Sequence, residues 1–140
     1  MFTSNVKFFQ KAIVLHPAGE RFLALKRTES DRSAAGQWDL PGGSVDFGEL
    51  HLPALAREIW EETGLEIHNP SVVEVITQFD PTDGIYRIFL AHRCQTSNSV
   101  VRLSEEHSAY LWVTPADWYS LNASLVLNQV IRTYETRHGA

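Results

Sequence analysis

Cysteine is almost absent from this 140-residue sequence, which contains only Cys94. A single cysteine forms no intramolecular disulfide and has no partner for a cysteine-based metal site, which is typical of a reducing compartment. No stretch approaches the roughly 18 consecutive apolar residues of a membrane-spanning helix, and residues 1–10 lack the apolar core of a signal peptide. We therefore expect a soluble, cytoplasmic protein in which Cys94 is a small apolar residue.

Basic residues are also too few to cover an extended anionic partner. The chain has 12 lysines and arginines against 17 aspartates and glutamates, a formal net charge of −5. Nothing in this balance favours broad binding to nucleic acid or to an anionic membrane, so an anionic substrate would have to meet local cations or a metal ion. Internal repeats and linkers are absent as well. With 44% hydrophobic residues, residues 1–140 are predicted to form a single domain around one core.

Short apolar runs separated by turn-forming residues predict two β-hairpins and a last strand. The hairpins pair residues 12–15 with 21–26 and residues 72–79 with 85–92, and the last strand covers residues 110–113. Residues 124–134 have the spacing of an amphipathic closing helix. Between the hairpins, Gly42 and Gly43 lie in a turn that permits close approach of another group. This mixture of elements predicts an α/β (α+β) fold.

The segment 52–63 is predicted to be a helix with one apolar side. At about 100° per residue, the residues on this side are Leu52, Leu55, Ala56, Ile59 and Thr63. Pro53 suits the first turn of a helix, and Gly64 suits the position just after its end. We expect this side to pack against the core.

Three glutamates share another face of this helix. Glu58, Glu61 and Glu62 stand at positions i, i+3 and i+4, turned away from the apolar side. Because crowded like charges repel one another, we expect a cation among them, and oxygen ligands favour Mg²⁺, with Mn²⁺ as a second choice. Arg57 lies four residues before Glu61, close enough to orient or partly neutralise the cluster. For the helix alone, an ordinary solvated acidic face is the alternative.

The tract from residue 43 to residue 65 resembles the signature of the Nudix hydrolase superfamily at every defined position. These positions hold Gly43, Glu49, Arg57, Glu58, Ile59, Glu61, Glu62, Gly64 and Leu65. Nine constrained positions over 23 residues are far more specific than a lone glycine-rich motif. The order of predicted elements, with a hairpin before this box and a C-terminal helix after it, is also similar to that of the family.

The resemblance implies a mixed β-sheet sandwiched between helices, the Nudix fold, with the box forming a loop, a helix and a loop at one end of the sheet. It implies that Glu58, Glu61 and Glu62 are metal ligands, directly or through water, and that the Gly42 carbonyl is a further ligand. Arg57 would hold a glutamate in place by charge-assisted hydrogen bonds.

Two further glutamates lie at positions that resemble metal-site residues of the family. Glu49 is either an auxiliary carboxylate of the metal site or a residue that begins the helix. In residues 103–113 a Glu-His pair precedes a tryptophan-bearing strand, so Glu106 would be a ligand or general base, with a solvated loop carboxylate as the alternative. His107 stays outside the predicted site because a hydrogen-bonding role is more usual than binding so hard a metal ion. The predicted catalytic set is Glu61, Glu62, Glu106 and Arg57.

Three residues outside the box are candidates for binding the substrate. Trp38 and Phe79 have rings that would stack on a nucleobase, although core or rim packing explains each of them equally well. Arg27, next to Lys26 at the end of the second predicted strand, would meet phosphates, with a solvated surface charge as the alternative.

The resemblance implies a Mg²⁺-dependent hydrolase that cleaves the diphosphate bond of a nucleoside diphosphate linked to another group. A nucleoside triphosphate, including an oxidised one, ADP-ribose and a nucleotide sugar are all open as substrates. The position of Pro81, 16 residues after Leu65, resembles that in ADP-ribose pyrophosphatases, but proline is expected in that turn anyway. The alternatives are a non-catalytic module that senses a nucleotide and a structural domain with an acidic helix. A homodimer is common among such proteins.

Overall fold

Seven β-strands form one mixed sheet in the computed structural model, which describes residues 5–138. The strands are β1 (Asn5–Leu15), β2 (Phe22–Arg27), β3 (Trp38–Asp39), β4 (Gly42–Ser44), β5 (His68–Asp80), β6 (Ile85–Gln95) and β7 (His107–Val113). The helices are α1 (His51–Thr63), α2 (Pro115–Trp118) and α3 (Leu125–His138). Within the described residues, no helix combines the length and the apolar character needed to cross a membrane.

The long strands β1 and β6 run parallel at the centre of the sheet. Their pairing extends from Asn5 opposite Ile85 to Leu15 opposite Gln95. β5 forms an antiparallel hairpin with β6 and lies at one edge, in the order β3-β2-β1-β6-β5. β7 is antiparallel to β2, and the short β4 is antiparallel to β1. The second predicted hairpin is therefore confirmed.

The first predicted hairpin is correct only at its turn. β1 and β2 pair at Leu15 opposite Phe22. Away from this pair the two strands diverge. β1 pairs with β4 and β6, whereas β2 pairs with β3 and β7. β3 and β4, for which the sequence predicted only a turn, lie beside this divergence and bring Gly42 opposite Lys11 of β1.

Alternate residues of the central strands face opposite sides of the sheet. On one side α1 packs through a cluster of eight buried residues: Ala12, Val14, Leu23, Leu25, Leu55, Ile59, Leu65 and Cys94. On the other side α2 and α3 pack through a second cluster, which includes Ile13, Phe22, Ala24, Trp118, Val130 and Ile131. The sheet thus lies between helices, as predicted. Cys94 is an apolar core residue, and burial raises the pKa of its thiol to about 12.

Several elements are longer than the patterns that predicted them. β1 begins at Asn5, β6 ends at Gln95 and α3 continues to His138. Apart from the buried Gln10, the added residues at the start of β1 are exposed or half-buried, yet they pair with β6 through the backbone. Hydrophobic periodicity does not detect such residues, because backbone hydrogen bonds do not depend on the polarity of the side chain.

Helix α1 buries three residues of the predicted apolar side, Leu55, Ile59 and Thr63, but its buried side is centred differently from the prediction. Its buried residues are Ala54, Leu55, Ile59, Glu62 and Thr63, while Leu52 and Ala56 are exposed. Leu55, Ile59 and Glu62 have i, i+4, i+7 spacing and therefore also share a helix face. The prediction included Leu55 and Ile59 but left Glu62 off this face, because a carboxylate is usually assigned to the solvated side. The expectation that all three glutamates turn away from the core is wrong for Glu62.

Candidate active site

The C-terminal end of α1 is fixed by local hydrogen bonds. Gly64 has a left-handed backbone with φ 71°, and its N–H donates to the Trp60 carbonyl at 2.8 Å. Glycine adopts this helix-ending conformation without steric cost. The Thr63 hydroxyl donates to the Ile59 carbonyl at 2.6 Å. The last turn of α1, which carries two of the glutamates, is therefore held in place.

The loop before β7 is tied to this helix end. Backbone N–H groups of residues 102 and 104 donate to the last two carbonyls of α1 at 2.8 and 3.2 Å. This path brings Glu106 close to the glutamates of α1. Burial raises the pKa of Glu58 and of Glu62, and the negative charge of Glu106 raises both further. Glu106 thus joins the cluster in space, although it lies far beyond the box in sequence.

Arg57 binds the exposed carboxylates of the cluster. Its guanidinium donates to Glu61 Oε1 at 2.8 Å, to Glu49 Oε2 at 3.0 Å and to Glu58 Oε1 at 3.3 Å. The hydrogen bonds to Glu61 and Glu49 raise the pKa of Arg57. Glu49 also accepts from the Asp46 N–H at 2.8 Å. Glu49 therefore braces the entry to α1 and helps to hold Arg57.

Glu58 lies against a glycine that leaves room for its carboxyl group. A Cβ placed on Gly43 would come within 2.8 Å of Glu58 Cδ and Oε2. Burial raises the pKa of Glu58, and the charge of Arg57 opposes this effect. The close approach predicted for the glycine turn is thus made by a glutamate of the box.

Glu62 is the buried member of the cluster, with 5% of its surface exposed. Its Oε1 accepts a hydrogen bond from the Gly42 N–H at 2.9 Å. Burial raises the pKa of Glu62 to about 7, although Lys11 and the hydrogen bond from Gly42 oppose the shift. Lys11 and the Gly42 N–H compensate the negative charge of so deeply buried a carboxylate only in part. A further cation nearby would therefore be favourable.

Gly42 brings its backbone between β1 and Glu62. Its φ is 141°, and a Cβ would lie 2.2 Å from the Gln10 carbonyl oxygen, so only glycine permits this approach. The Gly42 carbonyl oxygen, the predicted backbone ligand, accepts a long hydrogen bond of 3.4 Å from the Lys11 ammonium. The Gly42 peptide group therefore contacts Lys11 through its carbonyl and Glu62 through its N–H.

A network of buried and half-buried charged residues lies near Glu62. Asp39 Oδ2 is 2.8 Å from Arg27 Nη1 and 3.1 Å from Lys11 Nζ. Arg27 also donates to Asp31 at 2.5 and 2.9 Å. Burial tends to raise the pKa of Asp39, but Lys11 and Arg27 outweigh burial and hold it below its ordinary value. Arg27, predicted to meet phosphates, is engaged by two aspartates instead.

A cavity of about 240 Å³ opens beside Lys11, on the side of the sheet that faces α3. Phe9 and Phe89 form part of its apolar wall, with ring centroids 5.0 Å apart and an interplanar angle of 72°. Gln78 and Ser124 add polar groups to the lining. Lys11 also contacts the Gly42 carbonyl, and the Gly42 N–H donates to Glu62, so Lys11 and the glycine turn connect this cavity to the buried glutamate.

Trp38 and Phe79, the two aromatic residues predicted to bind substrate, do not line this cavity. Trp38 is half-buried and packs against the core on the α3 side, which agrees with the packing alternative. Phe79 is 60% exposed. It follows Gln78, which lines the cavity, and successive strand residues face opposite sides of a sheet. Phe79 therefore lies on the side that faces α1.

Within residues 5–138, no three acidic, histidine or cysteine side chains converge into a preformed metal cage. Arg57 holds Glu58 and Glu61 at the exposed side, while Glu62 turns inward to Gly42. Mg²⁺ usually binds through one or two carboxylates together with substrate phosphates and water, rather than in a cage made by the protein alone. The buried Glu62, whose pKa is raised and which lies near the carboxylates of Asp39 and Glu106, fits such a hard cation.

A buried hydrogen-bond chain supports the glycine turn. The side chain of Gln10, which is 1% exposed, donates to the His51 carbonyl at 2.5 Å, and its Oε1 lies 2.9 Å from His92 Nε2. Because Gln10 presents an acceptor to the ring, His92 Nε2 carries the proton. Burial lowers the pKa of His92 to about 4, which keeps the ring neutral. Gln10 also pairs with Gly43 in the sheet, so it joins the turn to the first residue of α1.

Sequence reasoning missed Gln10, Lys11, Asp39 and His92. Each lies within a strand, where a polar residue is usually assigned to the solvated side. A signal was available for two of them, because Gln10 and Lys11 directly precede the apolar run of residues 12–15 and extend its strand. Two successive residues of a strand face opposite sides of the sheet. Because helices cover both sides of this sheet, neither residue could simply be assigned to a solvated side.

Comparison with known proteins gives consistent matches. The NUDIX domain family model matches residues 11–133. A MutT-like protein of Streptomyces ambofaciens is 37% identical over 95 residues, covering 68% of this chain but only 56% of that protein. The nucleoside triphosphatase NudI of Escherichia coli is 30% identical over 127 residues, covering 79% of this chain and 85% of NudI. The crystal structure of a MutT protein from Methanosarcina mazei Go1 matches with a TM-score of 0.83 and 27% identity, over 100% of both chains.

The sheet between helices, the helix with its glutamates and the loop that carries Glu106 define a hydrolase of the Nudix class. The match over residues 11–133 and the similarity to NudI and MutT proteins show that the chain belongs to the Nudix family.

Proposed function

We propose that this protein is a Mg²⁺-dependent hydrolase that cleaves a diphosphate bond in a nucleoside triphosphate or a related nucleoside diphosphate derivative. The observation that carries the proposal is the burial of Glu62, with a pKa raised to about 7, beside Gly42 and near Glu106. A divalent cation at this position compensates a buried charge that the protein leaves largely uncompensated. Mn²⁺ would serve as well, because it also prefers oxygen ligands.

The proposed oxygen set has a buried part and an exposed part. Glu62 and the Gly42 carbonyl form the buried part, Glu61 and Glu106 form the exposed part, and the half-buried Glu58 lies between the two. When bound, the metal ion would screen the diphosphate and lower the pKa of the attacking water. Either Glu61 or Glu106 would accept the proton of that water, since both carboxylates face solvent.

Arg57 acts as a positioning residue in this proposal. Its shortest hydrogen bonds go to Glu61 and Glu49, at 2.8 and 3.0 Å. A planar guanidinium holds carboxylates in fixed directions, whereas a free carboxylate on a helix surface samples several rotamers. Arg57 would therefore lower the entropic cost of assembling the exposed part of the oxygen set.

We propose that the nucleobase enters the cavity of about 240 Å³ beside Lys11. The rings of Phe9 and Phe89 suit a planar apolar surface, and the amide of Gln78 offers both a donor and an acceptor to the edge of a base. Lys11 would meet a phosphate between this cavity and the glutamates. Arg27 would then act indirectly, because it holds Asp39, which in turn holds Lys11.

Among the candidate substrates we favour a nucleoside triphosphate. The similarity to a nucleoside triphosphatase supports it. Pro81 gives no support to ADP-ribose, because it lies in the exposed turn between β5 and β6, where proline is expected. We further propose that the partner is a small molecule rather than nucleic acid, and that the protein acts in the cytoplasm, as its acidic balance and single cysteine suggest.

The test is a hydrolysis panel with protein first stripped of metal by EDTA. Nucleoside triphosphates, oxidised triphosphates, ADP-ribose and nucleotide sugars are incubated with Mg²⁺, with Mn²⁺ or with EDTA, and release of phosphate or pyrophosphate is measured. We expect metal-dependent hydrolysis of at least one triphosphate. Thermal stabilisation by a nucleotide without any hydrolysis would instead favour the sensing module, and no response to metal or nucleotide would favour the structural domain.

A further inference from the structure

The cavity beside Lys11 extends along the central strands and has two different ends. Its lining includes Phe9 and Lys11 of β1 and Arg87 and Phe89 of β6, which alternate along their strands and so share one side of the sheet. Phe9 pairs with Phe89, and Lys7 pairs with Arg87. Arg87 therefore lies four residues from Lys11 along the sheet, a distance of about 13 Å. A cation thus stands at each end of the cavity, with the two rings between them.

The proposed position of the substrate gives each end a different task. Under the proposed function, a phosphate lies at Lys11 and the base lies beside the rings of Phe9 and Phe89. The sugar links the base to the phosphates, so the edge of the base remote from the sugar points to the end that holds Arg87. That edge carries a carbonyl oxygen in uracil, thymine, guanine and hypoxanthine, but an amino group in cytosine and adenine. The two kinds of base thus differ at the place where Arg87 lies.

Arg87 is a fixed hydrogen-bond donor at this end of the cavity. Its Nη2 donates to Asp83 Oδ2 at 2.7 Å, and this hydrogen bond raises the pKa of Arg87. A guanidinium has five N–H groups and no acceptor, so the bond to Asp83 leaves further donors for a ligand. Such a group matches a carbonyl oxygen of a base, whereas an amino group brings a second donor against it.

Two carboxylates near the cavity are already engaged by the protein. Asp39, at the Lys11 end, accepts from the Lys11 ammonium at Oδ2 and from the Leu40 N–H at Oδ1. Asp83 Oδ1, the oxygen that does not bind the guanidinium, accepts from the Ile85 N–H at 2.9 Å. These bonds hold both carboxylates on their own partners. The charged group that a base meets at the far end is therefore the guanidinium.

We infer that Arg87 is a specificity-determining residue that favours nucleotides whose base has a carbonyl oxygen at the edge remote from the sugar. The inference rests on the proposed function for the placement of the substrate. Gln78, which lies opposite Arg87 in the sheet, and Ser124 also line the cavity, but an amide or a hydroxyl can either donate or accept. These two residues serve both kinds of base, so the discrimination comes from Arg87.

Pairs of nucleotides that differ in this group test the inference. The deoxynucleoside triphosphates of uracil and cytosine form one pair, and those of hypoxanthine and adenine form the other. We expect kcat/KM to be about 10-fold higher for the carbonyl member of each pair, the effect of one well-matched contact to a base. Arg87→Gln should bring this ratio near one, because the amide of glutamine suits either base.

Arg21→Gln is the matched control for the loss of an arginine. Arg21 is also ion-paired with an aspartate, Asp117, at 3.4 Å, but it lies outside the cavity lining. Its replacement should leave the ratio unchanged. Gln78→Glu is a second variant in case Arg87→Gln fails to fold. A carboxylate opposite Arg87 would pair with the guanidinium and accept from an amino group, so the ratio should fall below that of the wild type.

Binding of the same pairs to metal-free protein, measured by isothermal titration calorimetry, separates this inference from the proposed function. Selective binding of the carbonyl nucleotides without hydrolysis would overturn the proposed function and support the inference. Equal kcat/KM and equal affinity within both pairs, including binding too weak to detect for either member, would overturn the inference. So would a preference that persists unchanged in Arg87→Gln and Gln78→Glu variants whose circular dichroism shows them to be folded.

Discussion

Adjacent glutamates on α1 have opposite environments. The side chain of Glu61 is 52% exposed, and its charge is met by Arg57 at 2.8 Å. Glu62 is 5% exposed and is met by one peptide N–H and by the charge of Lys11. One step of about 100° around a helix separates them. The exposed glutamate can be oriented by an arginine, whereas burial raises the pKa of the buried one, so that a nearby metal ion would stabilise its charged form.

Replacing the buried glutamate should have the largest effect on activity. Glu62→Gln removes a metal-binding charge and keeps the shape of the side chain, so we expect turnover at saturating Mg²⁺ to fall by ~10²-fold or more. Glu61→Gln should also lower turnover, by a smaller factor. Both variants should keep the circular dichroism spectrum of the wild type. If both hydrolyse substrate at near-normal rates, the glutamates do not form the metal site.

Glu106 extends the comparison to a carboxylate from another element. If it is a ligand or general base, Glu106→Gln should lower kcat about 10-fold or more with little change in KM, because the group acts on the reacting water. Glu105→Gln is the matched control for net charge and should have little effect. Steady-state kinetics of the pair decide the question. Equal, small effects would assign the loop to the solvated surface, and a large effect at Glu105 alone would mean that the neighbouring carboxylate is the functional one.

Arg57→Lys tests whether the exposed side of the cluster depends on geometry or only on charge. Lysine keeps the positive charge but loses the planar, several-pronged donor that contacts Glu61, Glu49 and Glu58. We expect kcat to fall roughly 10-fold while the melting temperature changes little, because exposed ion pairs contribute little to stability. If this variant has the kinetics of the wild type, Arg57 is only a surface ion-pair partner of the glutamates and does not position them.

His92 supplies the smallest expected effect, which concerns stability rather than catalysis. The pKa of an unfolded histidine is about 6.5, and burial lowers that of His92 to about 4. The unfolded chain therefore binds more protons between about pH 4 and pH 6.5, so the contribution of His92 to the free energy of unfolding rises with pH over this window, by at most about 3 kcal/mol. His92→Gln, whose amide can replace the Nε2–H donor to Gln10, should flatten this part of the profile. Urea unfolding across the window measures it, and an unchanged slope would contradict the assignment.

The sequence predicts best the parts of the site that lie on one helix. Helical spacing alone brings Glu58 and Glu61 together with Arg57, and the glycines of the box predict the close approach that Glu58 makes. The position of Glu106 follows only from the resemblance, because the loop that carries it reaches α1 through backbone hydrogen bonds.

The predictions were weaker where long-range packing decides the environment. The burial of Glu62 was not predicted, because a carboxylate on an apolar face contradicts the usual pattern and depends on a peptide N–H from a distant turn. The engagement of Arg27 by Asp31 and Asp39, and the position of Phe79 on the far side from the cavity, depend in the same way on strand register. Register is fixed by pairing that a single sequence does not display.

Anomalous diffraction from crystals soaked with Mn²⁺ and a non-hydrolysable nucleotide tests the central claim most directly. It places the metal ion relative to named oxygen atoms and does not depend on which substrate is preferred. We predict an anomalous peak within bonding distance of a carboxylate oxygen of Glu62, near Glu58 and the Gly42 carbonyl, and its loss in Glu62→Gln. A peak elsewhere on the protein, or one that persists unchanged in the variant, would contradict the claim that the buried glutamate holds the catalytic metal ion.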